Sequence, residues 1–186
     1  MPVTVTVRQR FACVLLALIC TSIPLLAQTD QERKPSTPEE RQRFVTITRK
    51  LEQDPLDEKL YADRKWALDF LEEVPDITVS SCWPVLGNLA PSQYRYKREL
   101  VAQFALDMMV FIIEHPKQAN DVNAQYMAGV EGALRAYRSI LKTQPNAVSA
   151  AMEALAERQS EGTLQDYVKE RAQACEGGDQ ATALHR

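Results

Sequence analysis

The sequence predicts an all-α protein, built as a compact bundle of five to six helices with one long ordered loop. Apolar residues recur at helical spacing along most of the chain, and Pro residues such as Pro75, Pro116 and Pro145 separate these stretches. Only six Gly occur among 186 residues, which is few for the tight turns of a sandwich or a barrel. An apolar content of 45% is sufficient for a core.

Residues 1–27 have the pattern of a secretory signal peptide. Arg8 and Arg10 precede the apolar run Phe11–Ala27, and no other charged residue occurs before Asp30. Pro24 and two hydroxyl residues interrupt this run, so it is poorly suited to span a membrane. We therefore expect export to the periplasm or to the cell exterior.

Cleavage after the small residue Ala27 would make Gln28 the first residue of the mature protein. Leu25, three residues earlier, is larger than is usual at that position, so a retained anchor is the alternative. After cleavage we expect no stable membrane insertion. Removing two of the 22 basic residues leaves 20 against 25 acidic ones, so the mature net charge is −5. This charge does not favour nucleic acid as a partner.

The mature chain is expected to begin with a flexible polar linker at 28–36, followed by a helical domain at 37–175. Thr37 is a favourable N-cap for the first helix, because Pro and two Glu follow it. An equivalent signature at Asp54–Asp57 precedes a second helix that ends near Glu73.

Residues 76–91 lack helical periodicity, and we interpret them as an ordered loop because a single short extended segment cannot form a sheet. Trp83 and Pro84 are the candidate recognition residues, since an exposed Trp beside Pro offers a stacking surface; the alternative is that Trp83 fills the core.

The mature chain keeps two Cys, and an oxidising compartment predicts a disulfide between Cys82 and Cys175. Two free thiols are the alternative. Metal binding is not expected, because structural zinc needs four ligands.

The third helix, expected at Ser92–His115, is the most apolar and should be buried on most of its circumference. Gln103, Asp107 and Glu114 fall on one narrow stripe, which we interpret as its solvent edge. A functional alternative exists, because carboxylates on a largely buried helix can have raised pKa values. Asp107 and Glu114 would then be the acid and base of a hydrolase, as in glycoside hydrolysis.

The fourth helix, expected at Asp121–Thr143, is amphipathic. Gly129 lies in its apolar face, where Gly costs about 1 kcal/mol relative to Ala, and a close helix crossing would explain it. The alternative is a ligand that approaches the same notch. Gly132 is placed on the polar face, where Ala should be neutral or stabilising. Glu131 and Arg135 are spaced for an i,i+4 ion pair.

Two shorter helices complete the predicted domain. The fifth follows a possible cap at Asn146 and ends at Gly162, where a Gly is favourable as a C-cap. The sixth begins at Thr163 and ends at Cys175, and residues 176–186 are expected to be a disordered tail.

The chain has two His and lacks the common nucleophile, zinc, phosphate-loop and dinucleotide motifs. We therefore assign no catalytic residue, cofactor or metal. The sequence favours a non-catalytic binding or interaction protein of the cell envelope, whose partner is an envelope protein or a small ligand. The alternatives are the hydrolase based on Asp107 and Glu114, and a short tetratricopeptide-like adaptor. The residues that match the second half of such a repeat are Ala133, Tyr137 and Pro145.

In size, export signal and mature Cys content, the chain is similar to periplasmic acid-stress chaperones and to helical secretion-immunity proteins. The segment Tyr126–Val130 (Tyr-Met-Ala-Gly-Val) resembles the Tyr-Ile-x-Gly-Val segment of the immunity family. The Cys that precedes the Tyr in that family is absent here. These similarities do not identify a family.

Overall fold

The structure is a computed structural model that describes residues 33–176. The predicted signal peptide, its cleavage site at Ala27 and Gln28, residues 28–32 of the predicted linker and residues 177–186 of the predicted tail lie outside this range. The described residues form α-helices and short 3-10 helices without any strand, which confirms the all-α prediction. The α-helices are α1 (Pro38–Gln53), α2 (Tyr61–Glu73), α3 (Lys97–Glu114), α4 (Val122–Thr143), α5 (Ala150–Glu161) and α6 (Leu164–Glu176). The 3-10 helices span Glu58–Leu60, Trp83–Leu86 and Pro116–Gln118.

The start of α1 is defined by local hydrogen bonds. Thr37 Oγ1 accepts from the Glu40 backbone N–H at 3.2 Å, and Glu40 Oε2 accepts from the Thr37 N–H at 2.9 Å. This reciprocal pair is a capping box, and Pro38 occupies the first helical position. The same sequence signature that predicted the helix therefore stabilises its first turn.

Residues 33–36 are held against the fold, although the sequence analysis included them in the flexible linker. Arg33 lies over the Phe70 ring, 4.9 Å from its centroid. The backbone N–H and the hydroxyl of Ser36 both donate to the Asp76 carboxylate, at 2.8 and 2.9 Å. Arg41 also binds Asp76, at 2.7 Å. The chain therefore enters the domain beside the end of α2.

Two helix starts differ from their expected positions. α3 begins at Lys97 rather than at Ser92, because a turn precedes it in which Ser92 Oγ donates to the Leu89 carbonyl at 2.7 Å. The cap of α5 is Ser149 rather than Asn146, and its hydroxyl accepts from the Met152 N–H at 3.5 Å. The Ser92 bond stabilises a turn in place of helix, whereas the Ser149 bond caps the first turn of α5.

The core consists of two apolar clusters on opposite sides of α3. One cluster packs α3 against α1 and α2 around residues such as Phe44, Phe70 and Met109. The other packs α3 against α4, α5, α6 and the 82–86 segment, around residues such as Phe104 and Tyr137. Because apolar groups cover α3 on both sides, its sequence has almost no amphipathic pattern.

α3 and α4 cross closely at two glycines. A Cβ at position 129 would lie 2.7 Å from Phe104 Cδ2 and 2.8 Å from Met108 Cγ. A Cβ at position 132 would overlap the Asp107 carboxylate and lie 2.6 Å from Asp107 Cβ. Gly129 therefore lies where α4 packs closely on Phe104 and Met108 of α3, at a position with no room for a Cβ. The placement of Gly132 on a polar surface was wrong, because Gly132 is buried against Asp107.

The disulfide joins Cys82 to Cys175, with a Cα–Cα distance of 5.9 Å, across a sequence separation of 93 residues. Val85, Leu86 and Leu89 are buried behind it, so the 76–91 loop is an ordered part of the core. The pairing expected from the two mature Cys is confirmed. It attaches this loop to the C-terminal end of α6.

The helices pack as a bundle. α3 contacts α1, α2 and α4, and α1 also contacts α4. In a helical-repeat solenoid each repeat contacts its sequence neighbours alone, so the match at Ala133, Tyr137 and Pro145 does not extend to the packing. Between residues 33 and 176, no helix is both long enough and apolar enough to cross a bilayer.

Candidate functional site

A network of charged and amide side chains joins α1, α3 and α4; we call it the polar seam. Its members are Arg49, Glu52, Gln103, Asp107, Glu114 and Arg135. Asp107 stands at its centre with 2% of its surface exposed. Its Oδ1 accepts from Arg49 at 3.1 Å and from Arg135 at 3.2 Å, and its Oδ2 accepts from Gln103 at 2.7 Å.

Glu52 is the second buried acid of the polar seam. Arg135 binds it through two bonds, Nε to Oε2 at 2.9 Å and Nη2 to Oε1 at 3.0 Å. Arg49 adds a third bond, from Nη1 to Oε1 at 2.7 Å. Burial opposes ionisation of Glu52, but Arg135, Asp107 and Arg49 together outweigh that cost and hold its pKa below the ordinary value.

Asp107 responds in the opposite direction to the same surroundings. Burial disfavours its charged form, and the adjacent Glu52 carboxylate favours protonated Asp107 both by hydrogen bonding and by charge repulsion, so the pKa of Asp107 is raised well above its ordinary value. Hydrogen bonding from Gln103 and the charge of Arg135 only partly offset this rise. With Glu114 included, the seam holds three acids and two arginines, and its charges balance when Asp107 is protonated.

The interpretation of Gln103, Asp107 and Glu114 as a solvent edge was wrong for the first two, which are both 2% exposed. Glu114 is exposed and binds Arg49 Nη2 at 3.2 Å. The predicted Glu131–Arg135 pair is also replaced, because Arg135 turns to Glu52 and Asp107 instead. One sequence signal indicated the seam: Gln103 and Asp107, an amide and an acid, are four residues apart in the most apolar helix.

A cavity of about 490 Å³ lies beside the seam, and both Asp107 and Glu114 line it. The two carboxylates therefore meet at one cavity, as the hydrolase alternative requires. Both are bound to the same guanidinium, however, through Nη1 and Nη2 of Arg49. Arg49, Arg135 and Gln103 donate to both Asp107 oxygens, so the structure shows this carboxyl group engaged within the seam.

A second concave surface, the apolar groove, lies between α2, α3 and the 76–83 segment. Its volume is about 480 Å³. The lining side chains are mostly apolar: Leu68, Leu71, Val74, Pro75, Ile77, Val79, Trp83, Val101, Ala102 and Ala105. The charged residues among those lining it are Glu72, Glu73 and Arg98. Several of the apolar side chains, including Leu68, Leu71 and Val101, are half-buried.

Trp83 forms part of the wall of the apolar groove. Its ring lies 6.2 Å from the Phe104 ring and is half-buried, and Pro84 is half-buried beside it. Trp83 therefore packs partly on the core and lines the groove with the rest of its surface. The Cys82–Cys175 disulfide is adjacent and holds this wall in place. Sequence reasoning identified the Trp83 loop but missed the α2 and α3 residues that complete the groove.

Within residues 33–176, no cluster of three or more His, Cys, Asp or Glu is arranged to hold a metal ion. Comparison with models of known protein families, with characterised proteins and with solved structures found no significant similarity to this chain.

Proposed function

We propose that this chain is an exported, non-catalytic binding protein that takes a small, largely apolar ligand into the apolar groove. The observation that supports this function is a pocket of about 480 Å³ whose apolar walls remain partly exposed in a domain with a well-buried core. Ligand sites for small molecules typically measure about 300–1,000 Å³ and combine apolar walls with a few polar groups. The groove has both properties.

The walls of the groove are preorganised. α2 and α3 supply two sides, and their lining residues come from regular helix. The third side, the Trp83 segment, is attached to α6 by the Cys82–Cys175 disulfide. A rigid pocket loses little conformational entropy when it binds, so burial of apolar ligand surface at roughly 25 cal/mol per Å² can yield net affinity.

Export is part of this proposal. The basic and apolar pattern of residues 1–27 supports a signal peptide, and a disulfide that closes a long ring is typical of oxidising compartments. Mass determination of the exported protein should give a chain that begins at Gln28. A mass that retains residues 1–27 would contradict the cleavage.

The binding proposal is tested with N-phenyl-1-naphthylamine, an uncharged apolar fluorophore, added to the mature protein. We expect saturable binding, with energy transfer from Trp83 to the probe because that ring lines the groove. Ala102→Phe should fill the groove and weaken probe binding by about tenfold or more, since Ala102 is half-buried in its wall.

The matched control is Ala62→Phe, which adds the same ring at an exposed position of α2 that does not line the groove. Circular dichroism and thermal melting should show both variants folded. Equal probe affinity in Ala102→Phe and Ala62→Phe would place binding elsewhere and contradict the proposal. Absence of saturable binding to the folded protein would contradict it outright.

A further inference from the structure

The cavity beside the polar seam, which we call the seam cavity, has both the size and the lining of a site for a small molecule. Its volume is about 490 Å³, and residues of α3, α4 and the first half of α6 form most of its wall. The apolar part of the wall includes Phe111 and Met127, which are half-buried, and the buried Val168. Small-molecule sites typically combine such apolar walls with a few convergent polar groups.

Two neighbouring guanidinium groups supply polar groups in this wall. Arg49 Nη1 and Arg135 Nη2 both donate to Asp107 Oδ1, at 3.1 and 3.2 Å, and both residues line the cavity. Asp107 and Glu52 are 2% and 7% exposed, so buried carboxyl groups fix the position of both arginines. Guanidinium groups that are already immobilised lose little side-chain entropy when they bind a carboxylate.

Each of the two arginines has a donor that the seam does not use. Arg49 Nε and Arg135 Nη1 donate to no residue between 33 and 176, and neither nitrogen is buried. Glu114 binds Arg49 through Nη2 at 3.2 Å, and this acid is exposed. Because an exposed ion pair contributes little free energy, a ligand carboxylate can approach Arg49 without a large loss.

Glu131 adds an acid to the same wall. It lies one helical turn before Arg135 on α4, is half-buried, and forms no ion pair with any residue between 33 and 176. Arg135 acts on it through space alone, because that guanidinium group turns to Glu52 and Asp107. Residues four apart on a helix have Cβ atoms about 5–6 Å apart, so an acceptor and a donor project from adjacent positions.

The remaining charges at the cavity are also of both signs. Lys169 and Asp121 line it, and both are exposed. A ligand with a single charge would therefore meet repulsion as well as attraction in this cavity. A zwitterion whose two charges lie close together can pair with both kinds of group.

We propose that the seam cavity binds a free α-amino acid with an apolar side chain. Its carboxylate binds Arg49 and Arg135, and its ammonium group binds Glu131. Its side chain packs on Phe111 and Met127. This site is separate from the apolar groove, and the inference does not depend on the function proposed for the groove.

The test titrates L-phenylalanine into the mature protein, together with the two molecules that lack one of its charged groups, phenethylamine and 3-phenylpropanoate. Amide chemical shifts of the 15N-labelled protein report both the affinity and the location. We expect saturable binding of L-phenylalanine, with shifts in α4 and the first half of α6. Each singly charged probe should bind about tenfold more weakly, since it loses one charge-assisted contact.

Glu131→Gln should weaken L-phenylalanine binding about fivefold or more and leave 3-phenylpropanoate binding at least as tight, because it removes the partner of the ammonium group. The matched control is Glu157→Gln, which removes an exposed acid of α5 outside the cavity and should change neither affinity. Ala128→Phe should fill the cavity, because Ala128 is half-buried in its wall, and abolish L-phenylalanine binding. Ala62→Phe is its control.

Equal affinity for the three probes would overturn the assignment of an amino acid. Undiminished L-phenylalanine affinity in Glu131→Gln would overturn it as well, and this variant changes a side chain outside the seam. Absence of saturable L-phenylalanine binding to the folded protein would remove the site. Competition between L-phenylalanine and N-phenyl-1-naphthylamine would place the amino acid in the apolar groove and contradict the inference.

Discussion

The polar seam and the apolar groove use α3 in opposite ways. In the seam, α3 buries Asp107 and Gln103 and surrounds them with partners from α1 and α4. In the groove, α3 leaves Val101 and Ala102 half-buried, with part of their surface in the groove wall. Polar groups that are buried and paired specify one arrangement of the helices, whereas apolar groups left open are available to a ligand.

The energetics of the two regions differ for the same reason. A buried ion network gains little net stability, because desolvation of the charges offsets their attraction, yet losing one partner typically costs about 3–5 kcal/mol. The apolar surface of the groove contributes free energy to ligand binding and not to folding, since it becomes buried only when a ligand binds. Changes at the seam should therefore affect folding, and changes at the groove should affect binding.

The largest effect should come from removing the disulfide, which anchors the groove wall but not the seam. Cys82→Ala/Cys175→Ala should lower the free energy of unfolding by up to about 4–5 kcal/mol, because the bond constrains a long ring in the unfolded chain. Hydrogen exchange should show the 76–91 loop and α6 losing protection before α3 and α4, and urea denaturation measures the stability. Earlier loss of protection in α3 would contradict the prediction that the disulfide anchors the groove wall and not the seam.

A change confined to the seam should follow in size. Gly132→Ala places a methyl group against the Asp107 carboxylate, and we expect a loss of about 2–3 kcal/mol in the free energy of unfolding. Asp107→Ala in the same chain removes the overlap with the carboxylate but keeps the 2.6 Å contact with the Cβ of residue 107, so the double variant should be only partly relieved and less destabilised than the sum of the two single changes. Binding to the groove should be unaffected in the folded protein. A Gly132→Ala protein as stable as the parent would exclude this contact.

The smallest effect concerns pH. The raised pKa of Asp107 means that the folded state holds this proton more tightly than the unfolded state, so stability should rise as pH falls from neutral towards the ordinary Asp value near 4. The lowered pKa of Glu52 contributes stability above its unfolded pKa, near 4.5, and this contribution is lost at lower pH. Stability should therefore pass through a maximum at mildly acidic pH.

Asp107→Asn separates these two contributions, because the amide cannot take up a proton. The variant should lose the rise on acidification, which is roughly 1.4 kcal/mol for each unit of pKa difference, and should retain the fall below it. Urea denaturation across the pH range measures the free energy of unfolding on both sides of the maximum. Parallel profiles for the variant and the parent would show that Asp107 does not titrate above its ordinary range.

Local chemistry explains why most helix ends were predictable. The Thr37 capping box, the left-handed Gly162 that ends α5 and the Pro residues after α2 and α3 act within three or four residues of the boundary. The all-α class follows from these signals. The disulfide was equally predictable, because the predicted cleavage after Ala27 would leave two Cys, which have one possible intramolecular pairing.

The sequence by itself therefore determined the fold class, most helix boundaries and the covalent link, and its signal peptide stays a prediction. The tertiary structure decided the partners of Arg135, which are 28 and 83 residues away, and the burial of Gly132. Hydrophobic periodicity could not predict which faces of α3 are buried, because a helix with apolar neighbours on two sides has no single apolar face. The seam and the groove exist only where distant segments meet, so their composition depends on packing that no local pattern encodes.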